Sequence, residues 1–146
     1  MSSKSNAFEN ALLLHIFNNS DIALIGDAAG LQNSATAGSL YLSLHTADPG
    51  EAGDQTTSEI TYTSYARKAV ARSGAGFTVT GNSVVLAADQ SFVAGTGGSG
   101  TATHFGVGAE VSGAGLLLYY GPITPNIVCG NGITPILTTG TTITES

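Results

Sequence analysis

The sequence predicts a mainly β protein, an antiparallel β-sandwich or jelly-roll-like barrel with one N-terminal α-helix. Short stretches of alternating or β-branched residues recur down the chain, and Gly, Pro, Asn and Asp separate them at roughly ten-residue intervals. Helical spacing of apolar residues is confined to the start. With 146 residues, the chain is long enough for one domain with its own core. We read 1–20 as an N-terminal helix or arm and 21–146 as a single β-sandwich domain.

Ser5 and Asn6 are good N-cap residues, Glu9 lies three after Asn6 as in a capping box, and Asn18-Asn19 can end a helix. A helix is expected over residues 7–17. Phe8, Ala11, Leu12 and Ile16 share one stripe, which Leu13 and Phe17 widen, so the helix must pack on something. It either covers an open sheet end or acts as an arm on a neighbouring subunit. Phe8, Leu12 and Ile16 are the interface candidates if it is an arm. Residues 21–34 are punctuated by Gly26, Gly30 and Asn33 and read as irregular.

The clearest strand follows. Leu40, Leu42 and Leu44 alternate with Tyr41, Ser43 and His45, so the leucines line one face, the core face. The strand stops at Asp48-Pro49-Gly50, where Pro fixes φ, Asp can cap a turn and Gly accepts φ > 0. A polar acidic loop leads from there to Glu59. Residues 60–72 return to β chemistry, with neither face wholly apolar, which suits a partly solvated or edge strand. Phe77-Thr78-Val79-Thr80 and Ser83-Val84-Val85-Leu86-Ala87 flank Gly81-Asn82, a two-residue hairpin turn with Gly first. Ser91-Phe92-Val93-Ala94 is another short strand, and residues 95–100 read as a flexible tip. Thr101, Thr103, Phe105 and Val107 alternate in a further strand. Leu116-Leu117-Leu118-Tyr119-Tyr120 reads as a strand buried on both faces. Short β pieces broken by Pro125, Gly130, Gly132, Pro135 and Gly140 complete the sheets.

Composition narrows the function classes. Only 10% of residues are charged, against roughly 25% in ordinary soluble domains. A β-rich chain with so sparse a charge cover is expected to hide surface in an assembly. The formal net charge of −6 argues against nucleic acid as a partner, because phosphate binding needs clustered Lys and Arg. No membrane partner is expected either, since the longest apolar run, residues 11–17, is far short of the roughly 20 residues of a spanning helix. Glu9, His15 and a long polar gap spoil the resemblance of the start to a signal peptide. The single Cys129 cannot form an intrachain disulfide and reads as a small buried apolar residue.

Little in the sequence points to chemistry, and the chain is not expected to be an enzyme. Residues 95–100 match G-x-G-x-x-G literally, but they open a strand, whereas a dinucleotide site opens a helix in a βαβ unit. His15, His45 and His104 have no metal-ligand spacing and read as surface or interface imidazoles. No G-x-S-x-G elbow accompanies His45 and Asp48. Asp48, Glu51 and Asp54 place oxygen ligands in a Gly-containing loop, the best cation candidate, yet their spacing is not that of an EF-hand. We therefore expect neither metal nor cofactor, and take these three residues as further interface candidates.

The element Leu44-His45-Thr46-Ala47-Asp48-Pro49-Gly50-Glu51 resembles a family of small virion proteins encoded by tailed bacteriophages and prophages. The likeness continues through Thr61-Tyr62-Thr63-Ser64-Tyr65-Ala66-Arg67, Phe77-Thr78-Val79-Thr80-Gly81-Asn82 and Thr103-His104-Phe105-Gly106-Val107-Gly108, covering residues 38–118. Members are labelled tail-fibre-like, minor tail or head-decoration proteins. The resemblance implies a virion component and brings no catalytic residues. We expect a decoration (cement) protein on the capsid surface, made in the bacterial host cytoplasm. Its partners would be the major capsid protein and copies of itself as a homo-oligomer. The alternative is a tail-fibre-like or minor tail protein that attaches to the host surface. A cell-envelope hydrolase would need catalytic carboxylates or a nucleophile–base pair that no motif supplies.

Overall fold

The computed structural model describes residues Met1–Ser146. One α-helix, α1 (Asn6–Asn18), precedes nine strands: β1 (Ser39–His45), β2 (Lys68–Ala71), β3 (Phe77–Thr80), β4 (Ser83–Leu86), β5 (Gln90–Ser91), β6 (Ser99–Gly108), β7 (Leu117–Gly130), β8 (Ile136–Leu137) and β9 (Thr142–Thr144). The protein is mainly β with one N-terminal helix. Its sheets have the orders β2-β1-β6-β7, β3-β4-β9 and β5-β8, and none closes into a barrel. The chain divides into two compact units: Met1–Ser39, Ala71–Ala88 and Thr139–Ser146 form the first, and Leu40–Val70 and Asp89–Thr138 the second.

In the first unit, Ser5 is the N-cap and its Oγ accepts the Phe8 amide at 3.3 Å. The cap therefore falls one residue before Asn6, so Glu9 is not in the capping-box position. Asn19 ends the helix in the left-handed region, φ 55°, with its N–H on the Leu14 carbonyl. That is the αL C-cap geometry Asn tolerates. The buried face centres on Leu13 and Phe17, both 0% exposed, displaced from the Phe8–Leu12–Ile16 stripe the spacing suggested. Phe17 meets Phe77 edge to face at 4.9 Å, an arrangement aromatic rings favour. Phe77, Val84, Leu86 and Ile143 complete this core.

The β3–β4 hairpin turns at Gly81, φ 59°, pairing Thr80 with Ser83 and Phe77 with Leu86, as expected for a turn with Gly first. β9 adds alongside β4. Arg72 closes the helix C-terminus: Nε donates to the Ile16 carbonyl at 2.6 Å and Nη2 to the His15 carbonyl at 2.5 Å. A cation there satisfies orphan carbonyls and complements the helix dipole. The irregular stretch after the helix is tied back on itself, Ile22 and Leu31 exchanging both backbone bonds at 2.9 Å.

In the second unit, β1 pairs antiparallel with β6, setting Leu42 opposite Val107 and Leu44 opposite Phe105 on the apolar face. The other face corrects the sequence reading. His45 reads from the sequence as a surface or interface imidazole, yet it and Ser43, both on the face opposite the leucines, are 0% exposed. Residues 54–59 fold back over that face, with Ile60 N bonded to the Leu44 carbonyl at 2.9 Å. The β stretch expected at 60–72 is regular only over β2, an edge strand. Ahead of it the chain turns, Tyr65 N to the Tyr62 carbonyl, with Ser64 at φ 78°.

Two further expectations are corrected here. Leu116 is 66% exposed, and residues 117–120 are half-buried at the start of β7, which is the sheet's other edge strand. Residues 95–100 are not a free tip. Gly95 exchanges bonds with Ile133 and Gly132, and Thr63 bonds to the Gly97 carbonyl and accepts from Thr96. A Cβ at Gly95 would lie 1.9 Å from the Gly130 carbonyl oxygen, so glycine here permits close backbone approach.

Candidate assembly surfaces and the buried polar cluster behind one of them

The residues singled out from the sequence do not form one site. Phe8 is 38% exposed on the helix, and Leu12 and Ile16 are half-buried. In the acidic loop, Asp48 Oδ1 accepts the Gly50 amide at 2.8 Å. Asp54 Oδ1 accepts the Thr56 amide at 2.8 Å and the Thr56 hydroxyl at 2.6 Å. Hydrogen bonds from Thr56 hold the Asp54 carboxyl below the usual carboxylate range. Both aspartates are thus turn-forming residues, and Glu51 is exposed. No group of three or more His, Cys, Asp or Glu side chains is placed to hold a metal ion.

The structure instead gathers polar side chains that the sequence reading left apart. Arg67 grips Glu59 with two parallel bonds, Nε to Oε1 at 2.7 Å and Nη2 to Oε2 at 2.8 Å, the planar fork geometry Arg is suited to. Glu59 accordingly raises the Arg67 pKa. Tyr65 donates its hydroxyl proton to Glu59 Oε1 at 2.8 Å and accepts the Leu44 amide at 3.2 Å. Burial pushes the phenol pKa far up, so it stays protonated. Gln55, 0% exposed, donates Nε2–H to the Glu110 carbonyl at 3.2 Å and accepts the Glu110 amide at 2.9 Å. Its amide thereby replaces a strand partner for the chain leaving β6.

Glycines make room for this cluster. A Cβ at Gly108 would lie 2.0 Å from Gln55 Cδ, and one at Gly115 would lie 2.3 Å from Gln55 Oε1. The alternation Gly106-Val107-Gly108 within a strand was the sequence signal that something approaches β6 closely. The resemblance residues His45, Tyr65, Arg67, Gly106 and Gly108 all meet here.

The cluster's product is a fixed loop. Besides the Gln55 bonds, Arg67 donates Nη1–H to the Glu110 carbonyl at 3.1 Å and Nη2–H to the Gly113 carbonyl at 2.8 Å. Ala109 N bonds to the Leu116 carbonyl at 3.0 Å. Residues 110–116 are therefore pinned from beneath, while Val111 is 60% and Leu116 66% exposed. The first unit holds out a comparable loop. Leu24 is 78% exposed at φ 67°, a conformation that costs a non-glycine residue about 1–2 kcal/mol. Ile25 next to it is exposed, as is Leu31, which pairs with Ile22, and Asp27 Oδ1 caps the turn by accepting the Ala29 and Gly30 amides. Exposed aliphatic side chains on hydrogen-bonded loops make these two loops candidate contact surfaces.

A family model matches this chain over residues 3–144. The match covers nearly the whole chain and is to a class of structural proteins of tailed-phage virions. The family is described as Podophage GP4 fiber I protein gp80, and the chain belongs to it. No curated protein matches the chain.

Proposed function

We propose that this protein is a contact-forming component of the fibre apparatus of a podophage virion, working by binding and not by turnover. The family match over residues 3–144 carries this reading. The exposed aliphatic loops around Leu24 and around Val111 and Leu116 support it. Its partners are neighbouring virion proteins and copies of this chain, and attachment to the host surface is the task such an apparatus serves. The helix residue Phe8 and the loop at Asp48 and Glu51 offer further exposed contacts.

A second reading is a cement protein on the capsid surface that binds the major capsid protein. It is favoured by the lack of any internal repeat of the kind that builds a fibre shaft. Its mechanism is mass action, since a ligand that binds only the assembled shell stabilises that shell.

Immunogold labelling of purified virions with antibody to this chain separates the two. Label on tail or fibre is expected, whereas label spread over the heads overturns the fibre reading in favour of cement. The loop assignment is tested with Val111→Ser combined with Leu116→Ser. Surface changes of this kind alter folding stability by about 0.5 kcal/mol or less, so normal melting with at least tenfold lower incorporation into virions is expected. Normal incorporation would remove the loop from the interface.

A further inference from the structure

His45 occupies an unusual position for a residue with no catalytic or metal partner. It is 0% exposed, and each ring nitrogen has one partner. Nδ1 lies 2.8 Å from the Thr57 carbonyl oxygen and Nε2 lies 2.8 Å from Ser43 Oγ. A carbonyl can only accept, so Nδ1 carries the proton, and Nε2 of the neutral ring then accepts from the Ser43 hydroxyl. The three groups form one chain from β1 to the segment that folds back over it. That segment is held at the same level by Thr46 N on the Ser58 carbonyl at 2.8 Å and Ile60 N on the Leu44 carbonyl at 2.9 Å.

We propose that this chain is an acid-sensitive latch, in which protonation of His45 upsets its bond from Ser43, places a charge in a buried site and so loosens residues 46–58 from the sheet, although Nδ1–H still donates to the Thr57 carbonyl. A second proton turns Nε2 into a donor aimed at an oxygen whose own hydrogen already points at it. The Ser43 hydroxyl must then turn away in a tightly packed place, where a Cβ on Gly106 would lie 2.5 Å from Ser43 Oγ and 2.7 Å from His45 Nε2. The imidazolium would also be a buried charge, which costs free energy unless paired.

The facing groups give it no counter-ion. Glu59, on the returning segment, is already held by both arms of the Arg67 fork. Arg67 itself is cationic, and His104 on β6 is the register partner of His45. Asp54, on the same segment, is engaged by Thr56 and Thr57. Burial, the largest influence, lowers the His45 pKa, while the Thr57 carbonyl and Glu59 act the other way. A folded-state pKa below the unfolded value means the unfolded chain binds the proton first. The latch is therefore intact above the unfolded value of about 6.5 and weakens as pH falls below it.

Amide hydrogen exchange on the full-length chain at pH 7.5 and pH 5.5, corrected for intrinsic rates, reads this directly. The Thr46 and Ile60 amides should exchange several-fold faster at pH 5.5 relative to the β3–β4 amides, with about tenfold the ceiling for one histidine of unfolded pKa about 6.5. The acid increment should vanish in His45→Gln. Equal protection at both pH values in the wild-type chain would overturn the latch, and so would the same increment in a folded His45→Gln protein. If the variant does not fold, NMR titration of the wild-type His45 ring decides. Ring protonation coincident with loop opening supports the latch, and loop opening while the ring stays neutral overturns it.

Discussion

The two compact units solve the problem of burial in different ways. In the first, the core is Leu13, Phe17, Ile22, Phe77, Val84, Leu86 and Ile143, and Glu9 is its one buried polar residue. Several of its polar contacts lie toward the outside, such as Lys4 Nζ on Glu145 at 2.8 Å and Asn10 on the Gly81 carbonyl, and those nearer the core, such as Arg72 on the Ile16 carbonyl, reach the backbone. The second unit buries Ser43, His45, Gln55 and Arg67 beside its leucines. An apolar core is non-directional and tolerates repacking, whereas a satisfied polar network specifies one geometry and is costly when one member is removed. The first arrangement makes a body; the second also fixes the loop that carries Val111 and Leu116.

The comparison breaks most visibly at Phe77. It is 0% exposed and stacked edge to face on Phe17, so Phe77→Ala should cost about 3–5 kcal/mol in denaturant unfolding. Exchange protection should fall first in β3, β4 and β9. A parallel fall in β1 and β6 would mean the two units unfold as one block. Arg67→Ala tests the other side and should cost about 3 kcal/mol, because Glu59 would be left without its bidentate partner in a mostly buried place. Here the distinctive result is local: exchange in residues 110–116 should rise at least tenfold at denaturant concentrations that leave β3–β4 protected. A stable protein with an unchanged loop would show that Gln55 alone holds it.

What the sequence made legible were the features decided by neighbours in the chain. Ser5 and Asn19 bound the helix, Gly81-Asn82 turns the hairpin, and the alternations in residues 40–44 and 101–107 mark β1 and β6. The polar cluster was not legible in the same way. A period of two says that Ser43 and His45 lie opposite the leucines, but not whether that face is covered. Its cover comes from residues 54–59 and from the bare Gly106 and Gly108 of β6, which is distant in sequence. For the same reason His45 read as a surface or interface imidazole. The exposed Val111 and Leu116 were missed because exposure depends on the Arg67 and Gln55 bonds beneath the loop, and no local pattern encodes those.

The smallest effect should come from the exposed polar contacts of the first unit, and Ser5 measures it. Its Oγ accepts the Phe8 amide at 3.3 Å, at the long end for a hydrogen bond, and Ser5 is exposed. Ser5→Ala should therefore destabilise by about 0.5–1 kcal/mol, the lower part of the N-cap range. Water can replace the lost acceptor, and the helix remains tied at its other end by Arg72 on the His15 and Ile16 carbonyls. Thermal melts of the wild-type and Ser5→Ala chains give the number. A loss above about 2 kcal/mol would exceed what an exposed cap supplies. It would mean that the first unit, like the second, depends on a specific polar contact and not chiefly on Leu13, Phe17 and Phe77.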